Sequence, residues 1–362
     1  MSKLRVGVIF GGRSGEHEVS LMSARSVVSA LNPQKYEIFL IGITKDGGWV
    51  FNDQAARMLG SADLNQPAIS SLTVEPDQFP LLPDPNINTR YFDVIFPVLH
   101  GPHGEDGTIQ GMLELADLPY VGAGVLGSAV AMDKGLMRTV LAQAGLPLLK
   151  WETVIRSRWE ADPEPILALI ETEIDYPCFV KPANLGSSVG ITKATNRQQL
   201  TASINYACEF DRRVVVEQAL TAPREIECSV LGNDDPEASI LGEIVPGSEF
   251  YDYEDKYINN KSQLIIPADL TADQEQAIRD YAVKTFKAVD CAGMARVDFF
   301  VTAEGQIYVN EINTIPGFTQ ISMYPKLWEA SGLQYSDLLD RLIELALERH
   351  QDKRRRRISI NS

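Results

Sequence analysis

Two alternating segments near the C-terminal end constrain the fold of this chain most strongly. They span residues 295–301 (ARVDFFV) and 307–313 (IYVNEIN). Each alternates with a period of two, which predicts a strand with two distinct faces. The residues between them include Glu304 and Gly305, and this composition is typical of a hairpin connection. The sequence therefore predicts an antiparallel hairpin.

Acidic side chains meet on one face of this hairpin. A turn centred between Glu304 and Gly305 places Asp298 directly across from Glu311. Like charges in that position destabilise a sheet, and a hard cation bound by oxygen ligands would offset the cost. Such ligands suit Mg²⁺ or Mn²⁺ better than zinc. An acidic hairpin that faces solvent is the alternative interpretation.

The metal interpretation is favoured by the neighbours of this acidic pair. The same turn places Arg296 across from Asn313, on the face that carries the two carboxylates. An Asn-Thr-Ile-Pro-Gly turn, residues 313–317, follows the second strand directly. These two features are the reason to expect a functional site here.

Length and charge exclude several classes of protein. A chain of 362 residues suggests two or three domains, and a net charge of −16 argues against a general nucleic-acid binder. No apolar run is long enough to span a membrane, and the N-terminus enters a strand with no room for a signal peptide. Together with widely spaced cysteines, expected to be reduced and mostly buried, this predicts a cytoplasmic protein. The cysteines are Cys178, Cys208, Cys228 and Cys291.

The pattern of elements differs between the two halves of the chain. In the first half, predicted strands at 4–10, 37–43 and 94–99 and a helix at 19–31 are typical of a parallel α/β domain. Residues 61–90 are polar and proline-rich, which indicates an insertion or long loop. In the second half the alternation is less regular, which indicates an α+β arrangement. Its predicted strands lie at 178–181, 214–217 and 225–231, a helix begins after the N-cap Asp133, and a closing helix spans 333–350.

Two glycine-rich segments in the first half are candidate binding loops. Gly11–Gly15 joins a strand to a helix, but it does not match the Gly-x-Gly-x-x-Gly spacing of a dinucleotide site. A helix N-terminus of this kind binds any anionic group, such as a carboxylate. His100–Gly111 contains His100 and His103, yet no third soft ligand is near for zinc. A constrained binding loop is the better interpretation.

Two segments of the second half are candidates for contact with a phosphate-bearing ligand. Lys181–Gly190 combines a lysine at a strand end with a loop rich in small donors, which is suited to phosphate. It is not a Walker loop, because the lysine precedes the glycines. An ordinary β-turn is the alternative. Tyr251–Tyr257 is polar and aromatic, as in loops that order over a ligand, and a plain surface loop is the alternative there.

Taken together and in this order, the motifs resemble the D-alanine–D-alanine ligase family of the ATP-grasp superfamily. The resemblance covers the whole chain except residues 61–90 and the basic tail. Its motifs are Glu16–Ser20, His100–Gly111, Met132–Lys134, the Lys181 loop, Arg296–Asp298 and Asn310–Gly317. It implies a three-domain ATP-grasp architecture, part α/β and part α+β, with an N-terminal parallel α/β (pre-ATP-grasp) domain. The expected boundaries are 1–122, 123–217 and 218–350, followed by a disordered basic tail at 351–362.

The resemblance also implies how ATP is bound. Lys134 and Lys181 would contact phosphates, Glu217 would accept from the adenine amino group, and Glu225 would hold the ribose. The ATP-binding residues implied are Lys134, Lys181, Gly186, Ser187, Ser188, Glu217, Ala219, Leu220, Glu225 and Asn310. The metal ligands implied are Asp298, Glu311 and Asn313, which would hold two Mg²⁺ or Mn²⁺ ions.

The reaction implied has two steps. One D-alanine attacks the γ-phosphoryl group of ATP to give an acyl phosphate, and the amine of a second D-alanine then displaces phosphate. Glu16 and His100 would meet the first D-alanine, and Ser322 and Met323 would meet the second. The catalytic residues implied are Glu16, Ser187, Lys256, Tyr257, Arg296 and Gly317. Family members that make a D-alanine–D-lactate ester depart from tyrosine at position 257, so Tyr257 favours the dipeptide.

Several alternatives stay open at this stage. The nearest is the same fold joining D-alanine to D-lactate or D-serine. A nucleotide-dependent dehydrogenase built on the glycine-rich turn would give the Asp298/Glu311 pair no role. A catalytically silent relative would not need the full set of charged residues. The resemblance further implies a role in peptidoglycan synthesis, a homodimer, and small-molecule partners rather than nucleic acid or membrane.

Overall fold

The structure is a computed structural model that describes residues 3–60, 69–71, 81, 91–186, 189–245, 263–319 and 321–357. Its strands are β1 (Leu4–Gly11), β2 (Tyr36–Ile43), β3 (Trp49–Phe51), β4 (Val94–Val98), β5 (Trp151–Ile155), β6 (Cys178–Pro182), β7 (Thr192–Ala194), β8 (Arg213–Gln218), β9 (Arg224–Gly232), β10 (Glu237–Val245), β11 (Gln263–Ile265), β12 (Gly293–Val301) and β13 (Ile307–Asn313).

Helices separate most of these strands. They are α1 (His17–Ala30), α2 (Asn52–Met58), α3 (Thr108–Leu115), α4 (Val125–Met132), α5 (Lys134–Gln143), α6 (Arg156–Ala161), α7 (Glu164–Glu173), α8 (Arg197–Phe210), α9 (Ala272–Ala288), α10 (Met323–Ala330) and α11 (Tyr335–Lys353). In the described part of the chain, every helix is too short or too polar to cross a membrane.

The first sheet has the order β3-β2-β1-β4. Strands β1, β2 and β4 are parallel, and β1 is the central one. It reads LRVGVIFG, an apolar run of the kind that parallel strands need because both faces are covered. The parallel α/β prediction is therefore confirmed. The short antiparallel edge strand β3 was not predicted from the sequence.

The second half of the chain forms two antiparallel sheets, which confirms the α+β prediction. One has the order β5-β8-β6-β7 and the other the order β11-β10-β9-β12-β13. One face of the five-stranded sheet packs in a buried apolar cluster that includes Ile226, Val297 and Phe299. The opposite face of this sheet carries the charged residues described below.

The hairpin of β12 and β13 has the predicted pairing of charged residues. Asp298 lies opposite Glu311, and Arg296 lies opposite Asn313. The register nevertheless shifts by one residue between Asp298 and Phe299, because two residues of β13 oppose one residue of β12. The extra residue is Asn310. The loop between the strands is therefore one residue shorter than predicted. The bulge compensates for this, so that Asp298 still lies opposite Glu311 and Arg296 opposite Asn313.

Helices from distant parts of the sequence complete two of the cores. The last helix, α11, packs Leu338 and Leu342 against Val6 and Phe96 of the first sheet. Helices α4 and α5 belong to residues 123–217, which we expected to form the central domain. Met137 of α5 nevertheless packs into the core of the five-stranded sheet. Non-consecutive segments thus tie the parts of the molecule together.

The C-terminal helix is longer than the sequence predicts. It ends at Lys353 rather than at 350 and so enters the region that we expected to be a disordered tail. An ion pair between Lys353 and Glu114 holds this last turn. The Arg354 amide also donates to the His350 carbonyl, which continues the helical pattern.

Candidate active site

Three acidic residues lie side by side across neighbouring strands of the five-stranded sheet. Asp298 on β12 lies between Glu227 on β9 and Glu311 on β13. Arg296, two residues along β12, donates to both oxygens of Asp298 at 2.7 Å and lies 3.0 Å from Glu227. Burial would lower the pKa of Arg296, but Asp298 and Glu227 raise it well above its ordinary value. This guanidinium therefore stays charged.

The donor set fits a divalent ion that is shared with a phosphate-bearing ligand. Asp298, Glu311 and Asn313 offer oxygen atoms on one face, and the Asn313 amide lies 3.1 Å from Asp298. Within the described ranges, no group of three His, Cys, Asp or Glu side chains is arranged to hold a metal unaided. Mg²⁺ is commonly bound by one or two carboxylates together with substrate phosphates. The residues present match that kind of site.

A basic side chain at the start of α5 faces the acidic row. Lys134 begins α5 behind its N-cap Asp133, and its Nζ lies 4.0 Å from Glu311 and 2.7 Å from the Leu185 carbonyl oxygen. Burial lowers the pKa of Lys134 below its ordinary value. A dehydrated lysine beside a carboxylate is suited to exchange that partner for a phosphate oxygen.

A buried ion-pair network lies next to Lys134. The carboxylate of Glu217 on β8 pairs with both Lys181 and Arg138, and the residue is 1 % exposed. Burial opposes its ionisation, but Arg138 and Lys181 lower the pKa of Glu217 below its ordinary value. In this arrangement the Glu217 carboxylate, which we expected at the adenine amino group, is engaged by two cations.

Glu16 contacts two loops from different parts of the chain. A Cβ atom at Gly101 would lie 2.5 Å from its Oε2 atom, and one at Gly186 would lie 2.8 Å away. Glu16 therefore packs against the loop after β4 and against the start of the predicted phosphate loop. Gly186 is the last described residue before Ser187 and Ser188, which lie outside the described residues, as do Lys256 and Tyr257.

His100 is a buried residue whose ring bonds entirely within the protein. Its Nδ1 lies 3.0 Å from the Ile315 carbonyl oxygen, and its Nε2 lies 3.2 Å from Ser23 Oγ. Burial lowers the pKa of His100, so the neutral ring donates from Nδ1 to the carbonyl and accepts at Nε2. Both ring nitrogens are thus occupied, which leaves none for the first substrate in this arrangement.

The residues expected at the second substrate surround Gly317. Ser322 Oγ would lie 2.9 Å from a Cβ atom at Gly317, so a side chain there would have to displace the Ser322 hydroxyl. Ser322 is the N-cap of α10, but its hydroxyl bonds back to Thr319. Met323 is buried at the first position of α10, where backbone amides are suited to an anion.

The remaining predicted nucleotide contacts lie just after β8, near the start of β9 and on β13. The Ala219 amide donates to the Pro177 carbonyl, and Leu220 next to it is partly exposed. Glu225 shares a face of β9 with Glu227, two residues away. The carbonyl oxygen of Asn310 lies 3.5 Å from Arg138.

Three residues of the site were not identified from the sequence. Glu227 extends the acidic row, Arg138 lies 1 % exposed beside Glu217, and Glu105 lies beside Glu16. Nε and Nη1 of Arg138 are buried without a hydrogen-bond partner among the described residues. Glu105 belongs to the 100–111 segment, so its motif was a usable signal. Nothing local marks Glu227 or Arg138, since their positions depend on strand and helix pairing.

Comparisons with known proteins agree with this arrangement. The family profile described as D-ala D-ala ligase N-terminus matches residues 5–123, and that described as D-ala D-ala ligase C-terminus matches residues 140–344. The chain is 51 % identical to the D-alanine--D-alanine ligase of Ruminiclostridium cellulolyticum, with 98 % of each chain covered.

Solved structures of related ligases are also similar to this chain. The D-alanine-D-alanine ligase from Coxiella burnetii is 40 % identical with a TM-score of 0.83, and the match covers 98 % of this chain and 97 % of that one. The VanG D-Ala:D-Ser ligase from Enterococcus faecalis is 39 % identical with a TM-score of 0.81, covering 95 % and 100 %. This chain belongs to the D-alanine–D-alanine ligase family.

Proposed function

We propose that this protein joins two D-alanine molecules to D-alanyl-D-alanine, with ATP converted to ADP and phosphate. The observation that carries the proposal is the opposed pair Asp298 and Glu311, flanked by Arg296 and faced by Lys134. This set lies in a chain 51 % identical over almost its whole length to a D-alanine--D-alanine ligase. The product would serve peptidoglycan synthesis in the cytoplasm.

The first step is transfer of the γ-phosphoryl group to the carboxylate of one D-alanine. The carboxylate oxygen attacks phosphorus, the bond to the β-phosphate oxygen breaks, and an acyl phosphate and ADP form. Catalysis of such a step rests on positioning and charge neutralisation, which Lys134 and Lys181 would supply at the phosphates. Asp298, Glu311 and Asn313 would hold two Mg²⁺ or Mn²⁺ ions, which neutralise phosphate charge when bound.

The second step is attack of the other D-alanine's amine on the acyl phosphate. A tetrahedral intermediate forms with negative charge on the former carbonyl oxygen, and it collapses as phosphate leaves and the nitrogen releases a proton. The Gly317 amide and Arg296 are suited to hold that oxygen. Loss of one such donor typically costs ~3 kcal/mol of transition-state stabilisation.

Substrate recognition would use the residues on either side of Gly317. Glu16 would bind the ammonium group of the first D-alanine, with Ser187 and Tyr257 completing a hydrogen-bonded triad over the site. Ser322 and Met323 would receive the carboxylate of the second D-alanine at the start of α10. Lys256 would add a further positive charge near the phosphates.

The proposal is tested by phosphate release from ATP and Mg²⁺ in the presence of D-alanine. L-Alanine alone, and D-alanine with D-lactate, are the matched comparisons. We expect release that needs only D-alanine, with ADP and one dipeptide as products. No release with D-alanine, but turnover with D-alanine and D-lactate, would refute the substrate assignment and keep the phosphoryl-transfer site.

A second candidate is ligation of D-alanine to D-lactate or D-serine, which the similarity to the Enterococcus faecalis D-Ala:D-Ser ligase supports. D-Lactate has no ammonium group to deprotonate, so its use is favoured at low pH. We expect dipeptide formation to exceed ester formation near neutral pH. Faster ester formation at pH 7 would favour this second candidate.

We also propose that the protein is a homodimer. Support comes from three exposed apolar side chains on α3 and α4, two helices that contact each other. Leu115, Val125 and Leu126 are 85 %, 41 % and 60 % exposed. Apolar patches of this kind are typical of protein interfaces. Light scattering should give twice the mass of one chain, and Leu115→Glu should halve it.

A further inference from the structure

The backbone of the turn after β13 is held by side chains of the first sheet's domain. The turn spans residues 313–319, and Thr314, Ile315, Pro316 and Phe318 are all buried. Gly317 is the partly exposed residue between them. Gly317 is therefore accessible between neighbours that are packed inside the protein.

One anchor is a chain of hydrogen bonds from Ser23 and His100. The Phe318 amide donates to Ser23 Oγ at 3.2 Å. Because the neutral His100 ring donates from Nδ1 to the Ile315 carbonyl, its Nε2 accepts the Ser23 hydroxyl proton at 3.2 Å. The chain thus closes around Gly317, with one bond before it and one after it.

A second anchor is the carboxyl group of Glu105. Its Oε2 accepts from the Gly101 amide at 2.6 Å, within the loop after β4. Its Oε1 lies 3.4 Å from the Ile315 amide, a longer hydrogen bond. Both polar backbone groups of Ile315 are therefore bound by residues that are more than 200 positions earlier in the chain.

We propose that Ser23, His100 and Glu105 are positioning residues for the ligation step. They hold Ile315 and Phe318, and so fix the amide of Gly317 where negative charge develops on the tetrahedral intermediate. This inference rests on the proposed function. An oxyanion donor stabilises a transition state only if its geometry is set beforehand, because reorganisation during the reaction would consume the gain. The side chains act through the turn and touch no reacting atom.

The test uses Glu105→Ala and Ser23→Ala, with Glu304→Gln as the control. Glu304 is an exposed carboxylate in the turn between β12 and β13, outside the site. We expect kcat for the dipeptide to fall about tenfold or more in both alanine variants, with the KM for ATP changed less than about threefold. Glu304→Gln should match the wild type.

A phosphinate analogue of the tetrahedral intermediate separates positioning from general damage. Its inhibition constant should rise by the same factor by which kcat/KM falls, while ADP affinity stays constant. Glu105→Gln, which keeps one acceptor oxygen, should recover part of kcat. Equal losses of ADP affinity and kcat, or unchanged kcat in both alanine variants, would overturn the proposal.

Hydrogen exchange measures how firmly the side chains of Ser23, His100 and Glu105 hold the turn, and it does not require catalytic turnover. Deuterium uptake of the peptide that covers residues 313–319 should be faster in Glu105→Ala and Ser23→Ala than in the wild type. If the wild type forms no dipeptide, the proposed function fails and the catalytic role of the anchors fails with it. If the wild type turns over but the variants equal it in exchange and kcat, only the anchoring proposal fails.

Discussion

At the scale of single residues, the site depends on charges placed where they would repel without a partner. Glu311 faces Asp298 across the hairpin, and Lys134 is 4.0 Å from Glu311. Arg296 already satisfies both oxygens of Asp298. We therefore expect Glu311 to be the carboxylate of the pair whose charge bears most directly on the proposed metal and phosphate binding.

Glu311→Gln should leave folding intact but remove metal-dependent turnover. The amide keeps the shape of the side chain and loses its negative charge. We therefore expect kcat to fall by about a hundredfold or more, comparable to the loss when one oxyanion-hole donor is removed from an enzyme. Phosphate release measured against Mg²⁺ concentration checks this. Glu304→Gln, an exposed change in the turn of the same hairpin, is the control. Full activity in Glu311→Gln would refute the metal assignment.

Glu105 gives the fold a pH dependence of its own. Burial, and then the charge of Glu16, raise the pKa of Glu105 to about 8 from its ordinary value of 4.5. Glu311 adds to this shift, while the amides of Gly101 and Ile315 oppose it. The folded protein therefore holds a proton on Glu105 that the unfolded chain has released, between pH 4.5 and about 8.

The contribution of Glu105 to stability should accordingly be full below pH 4.5 and fall as the pH rises to about 8. Glu105→Gln cannot titrate, so the difference in Tm between pH 5 and pH 8 should be smaller in this variant than in the wild type. Calorimetric scans at the two pH values measure it. The same pH dependence in both proteins would show that Glu105 is not the group responsible.

Contacts within a single hairpin were predictable from the sequence. Contacts between segments that are far apart in the sequence were not. Asp298 and Glu311 share a hairpin, so their spacing and the turn between them fixed the pair. Glu227 joins the same acidic row only because β9 pairs with β12, about 70 residues away. Arg138 reads as an ordinary polar position of a helix, and its burial depends on how α5 meets β8.

At the scale of elements, the turn after β1 depends on two glycines with left-handed backbone angles. Gly11 has φ +91° and Gly12 has φ +103°. A Cβ atom at Gly11 would collide with the backbone oxygen of Ile43, whereas one at Gly12 would lie 3.5 Å from a methyl group of Leu99. An alanine at either position would be strained by the left-handed backbone, but only at Gly11 would its Cβ atom overlap another atom.

Gly11→Ala should therefore destabilise the protein more than Gly12→Ala. Both variants pay for the left-handed conformation with about 1–2 kcal/mol. Only Gly11→Ala must also move the end of β2, which adds about 1–3 kcal/mol of overpacking. Thermal unfolding of the two variants measures the difference. Equal Tm values would contradict the placement of Gly11 against Ile43.

The element predictions missed the three-residue strand β3, the nine-residue strand β10 and the change of register in β13. Strand β3 has only three residues, too few for a period to show. The bulge at Asn310 adds one residue inside β13 without any glycine or proline to mark it. Long apolar strands such as β1 were predicted to within one residue because burial on both faces leaves a strong pattern.

At the scale of the whole molecule, the last helix joins the end of the chain to the first sheet. Leu342 on α11 is fully buried in the cluster that contains Val6 and Phe96. Arg349 on the same helix donates to the Gly122 and Tyr120 carbonyls at 2.5 and 3.1 Å. The apolar core beside the first sheet is therefore completed by residues from the C-terminal helix.

Leu342→Ala should destabilise the first sheet although it lies far from it in sequence. Truncation of a buried leucine typically costs about 2–5 kcal/mol. Leu169→Ala, a residue of α7 that is 47 % exposed, is the control and should change stability little. Hydrogen exchange of β1 and β4 should quicken in Leu342→Ala alone. Unchanged exchange there would contradict the packing of α11 on this sheet.

The arrangement of the three sheets was predictable only through resemblance to a family. Patterns of period two and of strand–helix alternation predict the class of each half. They do not specify that α5 presents Lys134 to β13, or that the loop after β4 reaches the turn at Gly317. Those contacts join segments far apart in the sequence, and they are what brings the charged residues of the site together.

The most direct test of D-alanyl-D-alanine synthesis by this protein is a competition between acceptors in one reaction. The protein is given ATP, Mg²⁺ and equal concentrations of D-alanine, D-lactate and D-serine at pH 7.5, and the products are identified by mass spectrometry. We expect D-alanyl-D-alanine as the main product, formed in proportion to ADP. A main product that contains D-lactate or D-serine would contradict the account.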